Sequence, residues 1–325
     1  MSGITDFSPT VLRERHGLST YQIDKLTGRK ESAGRFEDKI VALEKVAEFI
    51  RITDALNSES IEFIPLKGPV LSYSLYGDAT VREYCDLDLL VDLPFVHKTI
   101  ELLIRLGYAP VGYQLPPSQI GQKIVIAHLH HVLFTHRMHN LRVELHWRLF
   151  QTPPVNFRKL DKLVGGNLSE ITFADRSFTV FSKELEFLYL VMHGSLHYWR
   201  RLKWLTDINE YLMVYKIDWK KFRAMAAELR ASRLISLANY VLSEFYTSGP
   251  SIPWTNDGIP FMRAYALRQI YSVEESERET LGMKLSRLRF SFHCYPGIMY
   301  KIRRLGSVVV FYFYHAFKKR DRSAL

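Results

Sequence analysis

Cysteine is scarce in this sequence, and long apolar runs are absent from it. Only Cys85 and Cys294 occur among 325 residues, and a single bridge would not support a secreted disulfide scaffold. No window reaches ~18 uncharged apolar residues, so no membrane-spanning helix is expected. Residues 1–17 are polar and charged and show no signal-peptide core. These absences predict a cytoplasmic protein with reduced cysteines.

The sequence also lacks internal repeats and low-complexity tracts. Hydrophobic residues make up 47% of the chain and charged residues 24%. This is an ordinary globular composition, which excludes a disordered chain. The length indicates two domains, or one domain with a large helical extension.

Positive charge is concentrated at one end of the chain. The formal net charge is +10. Residues 286–325 hold nine basic residues, one acid and nine aromatics, including the run Phe311–Tyr314. Such a tail is typical of a nucleic-acid surface or of an element that lies on an anionic membrane. An alternative is a terminal helix or strand that packs its apolar side on the body and leaves its charges in water.

The hydrophobic pattern divides the chain into four parts. Residues 1–35 show no strong period and are predicted to be loosely ordered. Residues 36–180 mix helical and strand patterns, residues 181–285 are mostly helical in pattern, and residues 286–325 form the basic tail. The pattern thus predicts an α+β core followed by a helical domain.

Strands in the core are short and bounded by turn residues. The break Lys67-Gly68-Pro69 follows the first strand and opens a helix. A short polar turn joins the last two strands as a hairpin. Residues 151–167 are predicted to be rich in loops. The predicted strands are 61–66, 85–91, 130–135 and 141–149.

Two carboxylates share one strand face. Side chains alternate along a strand, so Asp86 and Asp88 point to the same side while Leu87 and Leu89 point into the core. Neighbouring carboxylates repel each other unless a cation lies between them. Mg²⁺ prefers oxygen ligands and commonly pairs carboxylates with phosphates. The pattern therefore predicts a divalent metal site, for Mg²⁺ or Mn²⁺.

A third acid follows on a second alternating strand. Val143, Leu145 and Trp147 form its apolar face, and Glu144 lies on the opposite face together with His146. If this strand lies beside the strand of Asp86 and Asp88, Glu144 completes a three-carboxylate site. Such a site can hold two metals, one at the attacking hydroxyl and one at a triphosphate.

The turn before the first acid has features of a phosphate site. Gly68 lets the backbone approach a phosphate closely, and the free N–H groups of the following helix favour an anion. Lys67 adds a point charge, and Arg82 can do the same. The parts that phosphoryl or nucleotidyl transfer requires thus occur in order along the chain.

These residues resemble the uncharacterised nucleotidyltransferase family of bacteria, a branch of the DNA-polymerase-β-like nucleotidyltransferase superfamily. The resemblance covers residues 36–215 and is specific in order and spacing. The matching stretches are 66–71, 75–78, Arg82, 86–91, 143–149 and 193–207.

The resemblance implies a small mixed sheet flanked by helices, with a nucleoside triphosphate such as ATP as donor. It implies that Asp86, Asp88 and Glu144 are the catalytic metal ligands. The chain departs from the superfamily where Lys67-Gly68 replaces the usual Gly-Gly or Gly-Ser. The hydroxyl that often touches the phosphates is therefore missing, so phosphate contacts are expected to move to Lys67 and Arg82.

Histidines cluster around the predicted hairpin. A zinc site is conceivable there, but no cysteine pair supports it, and a hairpin is expected to scatter the rings over both faces. His146 shares the face of Glu144 and is a candidate metal neighbour or phosphate contact, with structural hydrogen bonding as the alternative. The clustered residues are His128, His130, His131, His136, His139 and His146.

A second pair, His193 and His197, lies one helical turn apart. Gly194 stands where a metalloprotease helix would need Glu, so that class is excluded. The pair is expected to line the cleft between the two domains. Asp207 is a candidate contact to the nucleotide or the acceptor. The alternative for Asp207 is a helix cap or a salt bridge with Lys203 or Arg200.

Three functions fit these residues. The first is a metal-dependent nucleotidyltransferase that transfers a nucleoside monophosphate and releases pyrophosphate. The second is a non-catalytic or regulatory module on the same scaffold that binds a nucleotide or RNA. The third is a phosphotransferase that uses the γ-phosphate. The acceptor stays open among RNA, a protein or peptide, and a small molecule.

Overall fold

The computed structural model describes residues 3–28, 35–111, 126, 129–138, 141–255, 258–272 and 280–321. Within these ranges, seven strands form two sheets. The strands are β1 (Phe63–Pro65), β2 (Asp86–Val91), β3 (Tyr108–Pro110), β4 (His131–His136), β5 (Arg142–His146), β6 (Leu168–Phe173) and β7 (Arg176–Phe181).

Helices precede, connect and follow the strands. Those of the first half are α1 (Pro9–Glu14), α2 (Thr20–Thr27), α3 (Arg35–Ser58), α4 (Gly68–Tyr76), α5 (Val96–Arg105) and α6 (Phe157–Gly165). Those of the second half are α7 (Lys183–Leu196), α8 (Leu202–Val214), α9 (Trp219–Glu228), α10 (Ser232–Phe245), α11 (Pro260–Tyr271), α12 (Leu281–Cys294) and α13 (Ile298–Asp321). Among these helices, none combines the length and the apolar character needed to cross a bilayer.

The larger sheet is mixed, with strand order β1-β2-β5-β4-β3. Strand β2 pairs with β5 in parallel, and the other neighbours pair antiparallel. Leu87 and Leu89 are fully buried on one face of β2, as the alternation of the sequence predicts. A mixed sheet followed by a helical domain confirms the predicted α+β class.

The turn between β1 and α4 follows the expected chemistry. Gly68 begins α4 with φ of 66°, a left-handed backbone that costs any residue with a Cβ. Pro69 occupies the first turn of the helix, where its missing N–H is not needed. The free N–H groups at this end of α4 consequently face the same region as the start of β2.

The N-terminal segment corrects a prediction. Residues 1–35 were expected to be loosely ordered, but 3–28 contain α1 and α2, each capped by a serine side chain. Leu12 and Leu18 from this segment are fully buried. Helices of six and eight residues are too short to show a clear hydrophobic period, so tertiary packing decides their structure.

A second hairpin is also missing from the sequence-based prediction. Strands β6 and β7 pair antiparallel, and Phe173 and Phe178 place their rings 6.4 and 5.4 Å from that of Phe49. The loop predicted over 151–167 contains α6, whose first turn is capped by the Asn156 side chain.

Buried apolar residues form two clusters, one under the larger sheet and one among the helices.

The family motif 193–207 begins at the end of α7 and continues into α8. Gly194 lies against Trp199, and a Cβ on this glycine would stand 2.4 Å from the indole ring. The indole nitrogen donates to Ser195 Oγ over 3.1 Å. Tyr198 and Trp199 both have positive φ, at 62° and 54°, so the chain reverses sharply here. The reversal directs the following basic residues toward the start of β2.

The basic tail is helical. Helix α13 exposes an apolar stripe with helical spacing, made of Ile298, Ile302, Leu305 and Val309. Arg303 donates to the backbone carbonyls of Pro154 and Val155. The aromatic run Phe311–Tyr314 lies in this helix, and the structure describes only its backbone.

Candidate active site

Strand register brings the three predicted acids together. In the parallel pair of β2 and β5, Asp88 is the partner of Glu144 and Asp86 is the partner of Arg142. Residues in this register share one face of the sheet. Oxygens of Asp88 and Glu144 and a ring nitrogen of His146 all lie within 4.8 Å of one another. Asp86 lies two residues before Asp88 on the same face and lines the same cleft.

Two basic side chains neutralise Asp88. Lys67 Nζ lies 2.9 Å from Asp88 Oδ2, and His146 Nε2 lies 3.2 Å from Asp88 Oδ1. Burial opposes ionisation of Asp88, but Lys67 and His146 outweigh it and hold the pKa of Asp88 well below its usual range. Burial likewise opposes the charge on Lys67, and Asp88 outweighs it, so the pKa of Lys67 is raised.

Glu144 differs from Asp88 in its electrostatics. Burial raises the pKa of Glu144, the hydrogen bond from His146 opposes this, and Asp88 adds repulsion. The net pKa of Glu144 is higher than that of an ordinary glutamate. A carboxylate that holds a proton more readily than usual suits a group that accepts one during a reaction.

His146 connects the two carboxylates. Its Nε2 also lies 3.4 Å from Glu144 Oε2. Burial alone would lower the pKa of His146, but its hydrogen bonds to Asp88 and Glu144 raise the pKa to about 9. The other ring nitrogen, Nδ1, is buried and has no hydrogen-bond partner within the described part of the chain.

Arg82 and Asp207, two predicted nucleotide contacts, are paired with each other. Arg82 Nε and Nη2 donate to the two oxygens of Asp207 over 2.8 and 2.9 Å. Their side chains are 3% and 1% exposed. The pairing differs from the expectation that both face the substrate, and also from the alternative that Asp207 pairs with Lys203 or Arg200. It links the loop before β2 to helix α8.

The cleft in front of the carboxylates has a volume of about 300 Å³. Lys67 and Gly68 lie on its wall, as predicted for a phosphate site, and His193, His197 and Trp204 complete the side expected from the helical domain. Lys67 Nζ lies 3.3 Å from His193 Nε2. All the predicted site residues except His146 and Asp207 therefore line one cleft.

Four basic residues of this cleft escaped the sequence-based prediction. Arg142 precedes Glu144 by two residues on β5, so strand alternation was a usable signal for it. The others lie in the family motif 193–207, where Lys203 and Arg200 were considered only as partners of Asp207 and Arg201 was given no role. Burial and the neighbouring Arg82 lower the pKa of Lys203 to about 8. The four are Arg142, Arg200, Arg201 and Lys203.

A larger cavity adjoins the cleft. Its volume is about 880 Å³, and α1, α2 and α3 contribute to its wall. Tyr21 and Val41 are among its exposed lining residues. The two spaces share Cys85, Arg142, Arg201 and Lys203. A molecule in the cavity would therefore reach the carboxylates through this shared rim.

The histidines are gathered more closely than the hairpin pattern predicts. His131 is the register partner of His146 across β4 and β5. His131 Nδ1 lies 3.0 Å from His130 Nε2. His136 stands apart, with its Nδ1 accepting from the Met138 N–H. His128 and His139 lie outside the described residues.

The residues fit a hard divalent cation. Oxygen donors from two neighbouring strands converge, and Asp88 stays ionised even while buried. These are the ligand chemistry and charge that Mg²⁺ and Mn²⁺ prefer. Catalysis at such a site by phosphoryl-type transfer needs metal ligands and phosphate-binding cations in one cleft, and the described residues include candidates for both. Fold and site together define a nucleotidyltransferase.

The chain belongs to the family described as uncharacterised nucleotidyltransferase, whose profile matches residues 37–247. The resemblance noted in the sequence is thereby confirmed, as is the assignment of the chain as an enzyme that transfers nucleotidyl groups. No curated protein matches the chain.

Two solved structures are similar in part. The lincosamide antibiotic adenylyltransferase LnuA, in its lincomycin-bound crystal structure, aligns at a TM-score of 0.38 and 19% identity over 52% of this chain and 97% of that chain. An antigenic nucleotidyltransferase-like protein from Paracoccidioides brasiliensis aligns at 0.34 and 16% identity, over 64% of this chain and 87% of that chain.

Proposed function

We propose that the protein is a metal-dependent nucleotidyltransferase that transfers a nucleoside monophosphate from a triphosphate, such as ATP, to an acceptor. The observation that carries the proposal is the register of β2 and β5, which places Asp88 opposite Glu144 on the face of Asp86. Three acids on one sheet face are difficult to explain by stability alone, because neighbouring carboxylates repel each other.

Asp86, Asp88 and Glu144 would hold the Mg²⁺ or Mn²⁺, and a bound ion supplies Lewis-acid stabilisation of charge on the phosphates. In the reaction, an acceptor nucleophile forms a bond to the α-phosphorus, and the bond to the bridging oxygen of the β-phosphate breaks. Pyrophosphate leaves in line. Glu144 would accept the proton of the nucleophile, and its raised pKa, caused by burial, supports this role.

Phosphate binding is assigned to the cleft cations. Gly68 presents the N-terminal end of α4, and Lys67 lies beside it. Arg142 and Lys203 line the same cleft, and no carboxylate of the described residues lies within 4 Å of their basic nitrogens. His146 acts between Asp88 and Glu144. Arg82 and Asp207 act through their ion pair, which positions the start of β2 against α8.

The adjoining cavity is the proposed entrance for the acceptor. Its volume of about 880 Å³ lies in the range of small-molecule sites, which is roughly 300–1,000 Å³. This favours a small-molecule acceptor, or a single side chain or nucleotide of a larger one, over a broad RNA surface.

Cys85 and Cys294 are both free thiols, which supports a reducing, cytoplasmic location.

Replacing one acid tests the proposal. We expect Asp88→Asn to reduce transfer of label from an α-labelled triphosphate by at least ~10²-fold while the protein stays folded, because the central metal ligand is lost. Asp92→Asn is the matched control, because Asp92 ends the same strand region but is exposed. Pyrophosphate release is measured alongside label transfer.

Product analysis separates the alternatives. A phosphotransferase that uses the γ-phosphate would yield nucleoside diphosphate in place of pyrophosphate. A non-catalytic module would show metal-dependent thermal stabilisation by triphosphate without any product. Full transfer activity in Asp88→Asn would refute the assignment of the site.

A further inference from the structure

The clustered imidazoles carry an inference beyond nucleotidyl transfer. One ring nitrogen from each of His130, His131 and His146 lies within 4.8 Å of the other two. His131 and His146 are register partners on antiparallel strands, so their rings leave the same face of the sheet. His130 precedes β4 and places its Nε2 3.0 Å from His131 Nδ1. Nitrogen ligands lie ~2.0–2.1 Å from a zinc ion, so two of them in a tetrahedral site are ~3.4 Å apart. The spacing of the two histidine nitrogens is close to that distance.

His146 has one nitrogen available for such an ion. Its Nε2 is directed at Asp88 and Glu144, at 3.2 and 3.4 Å. Its Nδ1 is buried and unpartnered within the described residues, and the side chain is 9% exposed. A ring protonated at both nitrogens would bury the Nδ1–H donor without an acceptor, which is unfavourable. A cation that displaces the Nδ1 proton removes that conflict and leaves the Nε2–H to donate to Asp88.

The surroundings of His130 and His131 suit ligation. Burial lowers the pKa of His131 to about 4 and that of His130 well below its usual range, so both rings are neutral and offer lone pairs at physiological pH. Nitrogen donors of this kind select first-row transition ions, whereas the neighbouring oxygens select Mg²⁺. Ligating histidines commonly donate their second N–H to a carboxylate, which is the relation of His146 to Asp88.

We propose that His130, His131 and His146 form a second metal site, for a transition ion such as Zn²⁺, adjacent to the carboxylate site. The ion would bind His146 Nδ1 and fix the tautomer in which Nε2–H donates to Asp88. Three ring nitrogens leave a fourth position for water or another small ligand. The site would also tie β4 to β5 beside the catalytic strand.

Cobalt provides a direct readout that does not depend on transfer activity. The full-length protein is treated with a chelator, dialysed and titrated with Co²⁺ in the presence of excess Mg²⁺. We expect one Co²⁺ per chain and intense visible d–d absorption, which nitrogen-bound cobalt of low coordination number gives and octahedral cobalt bound to oxygen does not. Zn²⁺ should displace the cobalt and bleach the band.

Four variants assign the ligands. His130→Gln and His131→Gln should each abolish the band. Asp86→Asn removes a carboxylate of the neighbouring site and should leave the band intact, so loss of the proposed transferase site and loss of the histidine site are distinguishable. His97→Gln is the matched control, because His97 is exposed and distant from the three rings in the chain. Circular dichroism checks the folding of each variant.

Three results would overturn the proposal. The first is wild-type protein that takes up no cobalt or gives only weak octahedral absorption. The second is a band that survives His131→Gln in the folded protein. The third is a band lost in Asp86→Asn but kept in His130→Gln and His131→Gln, which would place the ion among the carboxylates alone. If one histidine variant fails to fold, the other decides the outcome.

Discussion

Asp88 is surrounded more tightly than the other two acids. Lys67 and His146 contact its two oxygens, whereas Asp86 is half-buried and lines the cleft. A buried carboxylate that already has two cationic partners stays ionised, so it is ready to bind a metal without losing a proton. Lys67 is then free to move its charge toward a phosphate in the same cleft.

Gly68 provides a prediction at the residue scale. Gly68→Ala should lower the free energy of unfolding by about 1–2 kcal/mol, because its φ of 66° is left-handed. The new Cβ would stand in ordinary contact with Leu87 Cδ2, at 3.4 Å, so the backbone strain is the main effect. Relief of that strain should shift the turn that presents α4 to the phosphates, and KM for the triphosphate should rise.

Urea denaturation and initial rates measure both effects. Gly165→Ala is the control, because Gly165 ends a helix and a Cβ there meets nothing within 4 Å. A Gly68→Ala protein with unchanged stability and KM would show that neither folding nor triphosphate binding depends on a glycine in the left-handed backbone of this turn.

Strand alternation was sufficient to predict that Asp86 and Asp88 share one face of their strand, because the period of two is local. That Glu144 joins them depends on the pairing of β2 with β5, which the sequence analysis could state only as a condition. The partner of Arg82 was not predictable in this way. Its ion pair with Asp207 joins residues that are distant in the chain, and no local period encodes such a contact.

The Arg82–Asp207 pair gives a prediction at the scale of elements, because it connects the loop before β2 to α8. Asp207→Asn should destabilise the protein by about 3–5 kcal/mol, since it leaves the Arg82 charge buried without a partner. Replacing both residues by apolar ones of similar size, Arg82→Met with Asp207→Leu, should restore much of that loss.

A double-mutant cycle in urea measures the coupling. The surface pair Arg176–Asp54 has the same bidentate geometry and is the matched control. Asp54→Asn should have little effect, because solvent screens exposed ion pairs. Equal effects at the two sites would contradict the view that burial makes the Arg82 pair important.

Elements with clear periodicity were predicted well. Strand β2 lies within one residue of its predicted limits, and helix α4 begins at the predicted break Lys67-Gly68-Pro69. The short helices α1 and α2 and the hairpin of β6 and β7 were missed. Their apolar residues, such as Leu12 and Phe178, are too few to form a period, and their burial depends on partners elsewhere in the fold.

Helix α13 carries a prediction about its partner. Its exposed apolar stripe, including Ile302 and Leu305, is better suited to a membrane surface than to nucleic acid, because phosphates offer no apolar contact. With a tail charge of +8, from nine basic residues and one acid, we expect the protein to sediment with phosphatidylglycerol vesicles and not with phosphatidylcholine vesicles.

The paired change Ile302→Ser and Leu305→Ser should weaken this binding, and added salt should weaken it further. Leu93→Ser is a control at another exposed apolar position. Tight binding to RNA that survives the paired change, with no vesicle binding, would assign the tail to nucleic acid.

For the whole molecule, buried imidazoles predict acid sensitivity. Burial lowers the pKa of His16 and His131 to about 4 and that of His197 to about 3. It also holds the pKa values of His130 and His193 well below their usual range. The unfolded chain therefore binds more protons below pH ~6.5. Stability is present above that pH and is lost as the pH falls toward 4.

His16 alone should account for roughly 3 kcal/mol of this loss. Glu186, whose burial raises its pKa to about 7, works in the opposite direction. So do Glu144 and His146, whose pKa values are also raised, which makes three opposing groups against five. Urea unfolding of chelator-treated protein between pH 7 and pH 5 measures the slope, and His16→Gln should reduce it. A flat profile over this range would contradict the buried, neutral state of these rings.

The parallel pairing of β2 with β5 has a consequence for synthesis on the ribosome. Asp86 and Asp88 emerge well before Glu144, and α5, β3 and β4 lie between the two strands in the chain. A nascent chain can form the β4–β5 hairpin early, but the parallel pair requires closure of that whole loop. Half of the carboxylate site thus exists without the other half until the sheet closes. Affinity for a divalent ion is consequently a measure of how far this chain has folded.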